Sequence, residues 1–155
     1  INGSSVHAGA GLVDAYTVDG SLEETDEPFR SSIDPDLEFD LRRDDPEKLI
    51  SPLVEAPDSP YGWSKVMTER ATKEAAIDGR VKVGVSIRIG GVNREDSKSL
   101  EGEPFYSTLY WSHRDLGRMI ERIAECDPEE YSGYHQFYGI SDNTGRVFSI
   151  ENSFQ

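Results

Sequence analysis

Val81-Lys82-Val83-Gly84-Val85-Ser86-Ile87-Arg88-Ile89-Gly90-Gly91 alternates apolar and polar side chains and then stops on two glycines. Strict period two ended by glycine reads as a β-strand. Upstream, Ser59-Pro60 opens a helix expected to run to about Asp78, because good helix formers fill its interior and Gly79 stands where a helix should end. Further upstream, Ile1 to Val6 is short and partly apolar and reads as the end of another strand. Downstream, Val92 to Tyr106 is polar and loop-like. Ser112 and Asp115 then resemble an acidic capping box, and Leu116, Met119, Ile120 and Ile123 recur at helical spacing as a core-facing stripe. His135 to Ile140 reads as a third strand, before the turn-rich Ser141-Asp142-Asn143-Thr144-Gly145. Strand, helix, strand, helix, strand in this order predicts an α/β layered fold.

Composition narrows the function classes. The chain has 155 residues, 16 Lys+Arg against 30 Asp+Glu, and a formal net charge of −14. So acidic a surface repels phosphate backbones, which excludes nucleic acid as the expected partner. No stretch approaches the ~20 apolar residues that span a bilayer, so no membrane partner is expected. The lone Cys126 closes no internal disulfide. Half of the acids lie between Asp14 and Asp58, opposed only by Arg30, Arg42, Arg43 and Lys48 and interrupted by prolines. That stretch, about residues 14–58, reads as a long acidic surface loop or insertion. Acid excess with arginine outnumbering lysine suits a salt-rich cytoplasm, where charge keeps a protein hydrated.

Chemistry concentrates in Tyr61-Gly62-Trp63-Ser64-Lys65. Tyr61 and Lys65 stand four apart at a helix start, so their side chains share one face. A phenol titrates near pH ~10 and is a poor base at neutrality, but an adjacent ammonium favours the phenolate. Such a pair can take a hydroxyl proton while hydride leaves the same carbon. Ser4-Ser5 adds hydroxyls at a strand's C-terminal end, where α/β sheets place ligands.

A strand ending in Ser4-Ser5, the run Tyr61-Gly62-Trp63-Ser64-Lys65 and a strand ending in Arg88-Ile89-Gly90-Gly91 together resemble the extended short-chain dehydrogenase/reductase family, also called the NAD-dependent epimerase/dehydratase family. Trp111-Ser112-His113-Arg114-Asp115 and Tyr138-Gly139-Ile140-Ser141-Asp142-Asn143 look like it too, with most similarity to the uronate and archaeal sugar-phosphate dehydrogenases. The resemblance implies a Rossmann-like doubly wound parallel sheet, present as its C-terminal portion only. Residues 1–155 would form a partial domain, with Ile1 inside a strand and the N-terminal dinucleotide-binding half absent from this chain. It implies NAD or NADP as cofactor, a sugar-type substrate, a cytoplasmic location and a possible homodimer through the Tyr61–Lys65 helix, where Ala71, Ala75 and Ala76 offer small residues.

By the same resemblance, Tyr61 would be the catalytic acid/base and Lys65 would support its phenolate and bind the nicotinamide ribose. Ser5 would hold the reacting oxygen, with Ser4 the alternative because adjacent serines leave the register open. The backbone from Ile89 through Gly90 and Gly91 to Val92 would pass beside the nicotinamide; the family often carries proline where Ile89 stands. Ser5, Val6 and His7 would face substrate. The uronate subgroup has asparagine where Val6 stands, whereas His7 matches its next residue. The activity implied is sugar dehydrogenation, or epimerisation by the same apparatus. Dehydration is disfavoured because no acid follows the serines. A non-catalytic remnant or partner-binding module is the reading from another class.

The remaining features carry blander expectations. His7, His113 and His135 lack metal-ligand spacing, so no metal site is expected; His113 reads as a helix-start residue. Gly9-Ala10-Gly11 lacks the rest of a dinucleotide fingerprint and reads as a flexible turn. Tyr131, Tyr134, Phe137 and Tyr138 read as packing residues, and Cys126 as a small, buried or half-buried one.

Overall fold

The structure is a computed structural model and describes residues 1–10, 51–53, 55–99, 106–143, 146, 148–152 and 154. Most of the acidic stretch, Gly11 and the Thr144-Gly145 turn lie outside these residues. The chain runs β1 (Asn2–Ser5), a 3₁₀ turn (Val6–Ala8), α1 (Pro60–Ile77), β2 (Val83–Ile89), α2 (Tyr106–Leu109), α3 (His113–Glu125) and β3 (Gly133–Gly139). The strands form one parallel sheet in the order β1-β2-β3, with Ser5 beside Ile89 and Ile89 beside Gly139 at their C-terminal ends. The fold is therefore mixed α/β.

The helix ends follow from local chemistry. Ser59 caps α1 by accepting from Gly62 N at 3.0 Å, and Pro60 occupies the first helical position, where its missing N–H costs nothing. Gly79, at φ 70°, takes the left-handed conformation that ends the helix. Ser112 caps α3 through Asp115 N at 3.1 Å, but the reciprocal half of the expected box is rerouted. Asp115 accepts from Ser141 Oγ at 2.6 Å, and that hydroxyl accepts from Ser112 N at 3.0 Å. The start of α3 is thereby tied to the segment leaving β3.

Both faces of β2 are covered, as parallel sheets require. On one face Val85, Ile87, Phe137, Trp111, Ile123 and Phe154 form the apolar core, with Leu116 and Met119 against it. Each large side chain fully buried there contributes about 1.5–3 kcal/mol. Ile120 departs from the expected stripe and is exposed, because it lies at the rim of the arc defined by Leu116, Met119 and Ile123. The other face carries Gly84, Ser86 and Arg88 beneath α1. A Cβ at Gly84 would come within 3.1 Å of both Ala76 Cβ and Thr72 O, so the helix lies close on the strand there. The alternation in β2 thus separates an apolar interior from a polar interior, rather than core from solvent. No helix among the described residues is long and apolar enough to cross a membrane.

Candidate active site at the strand ends

Ser5 ends β1 and accepts, through Oγ, from His7 N at 3.4 Å, so the chain turns immediately at the C-terminal edge of the sheet. Val6 and Ala8 bury inward while His7 stays half-buried. The approach to α1 docks on this turn: Asp58 N donates to His7 O at 3.2 Å and Ala56 N to Ala8 O at 3.0 Å. Gly62 is required beneath it, since a Cβ there would fall 2.4 Å from His7 O. The β1 turn and the first turn of α1 therefore form one unit, which brings together the segments bearing Ser5, His7, Tyr61 and Lys65.

Within that unit the exposed ring of Tyr61 meets His7 edge-on, with centroids 5.5 Å apart. Lys65 Nζ lies 5.3 Å from the centroid of the Tyr61 ring and donates to Gly3 O at 3.3 Å. An ammonium has three donors, and Gly3 O occupies one of them. Ser4, by contrast, turns inward and donates to Glu69 Oε1 at 2.5 Å. Ser4 is thus committed to Glu69, whereas Ser5, also buried, accepts from His7 N at the turn.

Ile89 to Val92 reaches the same edge. Gly90 N donates to Gly139 O at 3.0 Å, Gly91 N to Leu109 O at 2.8 Å, and Gly91 O accepts from Trp111 N at 2.7 Å. A Cβ at Gly90 would fall 2.3 Å from Leu109 O, and one at Gly91 2.4 Å from the Tyr106 ring. The glycines serve close packing, and their N–H groups are spent within the protein. Val92 is exposed. Beyond it Asp96, at φ 51°, accepts from Tyr110 Oη at 2.5 Å and from His113 N at 2.8 Å. The Tyr110 hydrogen bond, with that of His113, holds the Asp96 carboxyl below its ordinary range. The same bond, helped by burial, pushes the Tyr110 phenol up to about 12.

Residues not singled out by sequence reasoning complete the site. Asp58, taken with the solvated acidic stretch, is buried against His7 with Oδ2 2.6 Å from Nδ1, and its Oδ1 accepts from Ser59 Oγ at 2.7 Å. Glu55, from the same stretch, pairs with Arg70 at 2.5 Å. Glu69 and Arg88 form a two-point ion pair, with Nε–Oε1 and Nη2–Oε2 both 2.8 Å. Arg88 Nη1 donates to Tyr138 Oη at 3.1 Å, so Tyr138 is a polar partner as well as a packing residue. Gly9 is no loose turn residue: a Cβ there would lie 2.3 Å from Tyr138 Oη. Burial pushes the neighbouring Tyr134 phenol up to about 12, which leaves it an uncharged donor to Gln136 Oε1 at 2.7 Å. A faint signal existed for Glu69, because Tyr61, Lys65 and Glu69 follow one another at intervals of four.

No protein-family model matches the chain, and neither the curated proteins nor the solved structures contain a match.

Proposed function

We propose that the protein is a nicotinamide-dependent oxidoreductase of the extended short-chain dehydrogenase type, acting on a sugar or sugar derivative, and that its sheet is the later part of a Rossmann-like doubly wound fold. The observation carrying this reading is the convergence of Ser5, Tyr61 and Lys65 on one unit at the C-terminal edge of a parallel sheet, with Lys65 Nζ beside the Tyr61 ring. Open α/β sheets bind ligands at that edge.

The donor set fits NAD or NADP in part: Lys65 has donors beyond the one used by Gly3 O, suited to a ribose diol. The glycine N–H groups after β2 are occupied, so contact from that turn falls to Ile89 and Val92. When bound, the nicotinamide supplies the hydride acceptor or donor. The chain's own residues handle the proton. Tyr61 is an exposed residue, and its hydroxyl would receive the proton from a substrate alcohol, or return it to a carbonyl. Lys65 places its ammonium beside the Tyr61 ring, on the side from which a ribose would be held. Ser5 would hydrogen-bond the reacting oxygen, and His7, held by Asp58, would line the substrate side.

The test is NAD(P)H formation by the full-length gene product across a panel of sugars and sugar phosphates. Net reduction of the cofactor supports a dehydrogenase. Sugar interconversion without it identifies the epimerase variant of the same chemistry. Turnover that survives Tyr61→Phe overturns the mechanism, and no turnover or cofactor binding at all favours a partner-binding module.

A further inference from the structure

One carboxylate on α1 takes hydrogen bonds from each of the three strands among the described residues. Glu69 Oε1 accepts from Ser4 Oγ of β1 at 2.5 Å and from Arg88 Nε of β2 at 2.8 Å. Glu69 Oε2 accepts from Arg88 Nη2 at 2.8 Å and from Gln136 Nε2 of β3 at 3.0 Å. Glu69 is 2% exposed and Arg88 fully buried. The rest of α1 buries only Gly62 and Val66. Close packing of Ala76 and Thr72 on Gly84 and of Gly62 beneath His7 O also positions the helix, and any slide or rotation would in addition strand a buried charge. A buried polar group of this kind costs stability relative to a well-packed apolar pair, and setting register is its best-attested use.

We propose that Glu69 and Arg88 are positioning residues: their ion pair locks the register of α1 on the sheet and so sets Tyr61 and Lys65 against Ser5. The inference rests on the oxidoreductase reading above for its kinetic consequence, but not for its geometry. Lys65 and Tyr61 follow from Glu69 along one rigid helix, at ~1.5 Å of rise per residue. Ser4, drawn into the same carboxylate, fixes the residue next to Ser5. One interaction centre thus touches both partners of the site, the helix pair and the serine turn, and adds to the contacts that dock the helix start on that turn.

The test uses the full-length protein carrying Glu69→Met with Arg88→Met, an apolar replacement of the whole pair, alongside Ser4→Ala and Ser4→Thr. Folding is checked by circular dichroism and melting. Two readouts are taken: kcat and KM on a sugar that the wild type turns over, and the NMR signal of Tyr61 labelled with ¹³C at Cζ, assigned through Tyr61→Phe. Displacement of reacting groups by ~1 Å costs up to about a hundredfold in rate, so the folded double variant should lose about ten- to a hundredfold in kcat with KM little changed. Its Tyr61 signal should shift or broaden. Ser4→Ala, which keeps the ion pair, should show the same pattern more weakly, and Ser4→Thr should restore it. If the double variant does not fold, Ser4→Ala decides. A folded variant with wild-type kcat and an unchanged Tyr61 signal overturns the lock. If the wild type turns over nothing, the oxidoreductase reading fails, and the Tyr61 signal alone decides the register proposal.

Discussion

His7 Nδ1 and Asp58 Oδ2 stand 2.6 Å apart across 51 residues of chain, and this contact joins the end of the first strand to the start of the helix bearing Tyr61. The other Asp58 oxygen accepts from Ser59 Oγ, the hydroxyl that caps the same helix. Asp58→Ala removes a buried acceptor, leaves His7 Nδ1 without it and frees the capping serine. The expected cost is about 2 kcal/mol, read as a lowered urea midpoint. A loss below ~0.5 kcal/mol, typical of an open surface site, would contradict the packed geometry.

Tyr61→Phe should separate chemistry from folding. The ring is exposed, so the melting temperature should stay close to wild type, with a stability change within about 0.5 kcal/mol. Turnover on a sugar substrate should fall by about 10²-fold or more, because general acid–base transfer typically contributes that much. Steady-state kinetics and thermal melts on one preparation check both halves.

Arg88→Leu alone should be among the most damaging substitutions. It leaves the Glu69 carboxylate buried at 2% exposure with its strongest partner gone. Breaking a buried pair from one side costs about 3–5 kcal/mol, so much of the protein should be unfolded at 37 °C. Guanidinium titration of the single and paired substitutions gives the coupling directly. The single change should be worse than the paired apolar replacement.

Gly90→Ala introduces a methyl 2.3 Å from Leu109 O and 2.5 Å from Ile140 Cγ2, neither of which can yield cheaply. Overpacking of this kind costs about 1–3 kcal/mol. Gly117→Ala is the control: its Cβ would meet nothing within 4 Å, and it lies inside α3, so it should stabilise by up to about 1 kcal/mol. Differential scanning calorimetry should move the two variants in opposite directions.

Acid should loosen the region around α3. Asp96 sits below its ordinary value of 3.8 because Tyr110 and His113 N donate to it. Asp115 also sits below 3.8: burial pushes it up, but Ser141, Ser112 and Arg114 outweigh that. A carboxylate lowered by folding contributes stability that is complete above its unfolded value and is lost as pH falls through its folded value. Stability should therefore be flat near neutrality and decline below about pH 4. Asp96→Asn should flatten part of that decline, measured by urea midpoints across the acid range. Tyr110, pushed up to about 12, stays a donor throughout this window.

The α/β alternation and most element ends were legible in the residues. Ser59-Pro60 and Gly79 bracket α1, Ser112 opens α3, and Gly90-Gly91 follows β2. Caps and period-two patterns act over a few residues, so they can be read locally. The spacing of Tyr61 and Lys65 placed both on one helix face, and the structure brings Lys65 Nζ to the Tyr61 ring. Less legible was what the polar face of β2 meets, where Ser86 and Arg88 lie fully buried. Charge in a sequence does not disclose its partner when that partner is 19 residues away, as Glu69 is from Arg88.

The kind of elements, their order and the residue types delivered to their ends can be read along the chain. Folding adds that Ser4 turns in to Glu69 while Ser5 stays at the turn, that Asp58 leaves the acidic stretch for His7, and that the three described strands share one helix carboxylate. The division has a physical reason. Caps and periodicity are local free energies, whereas a buried charge gains its stabilisation from groups that only the closed fold brings within 3 Å.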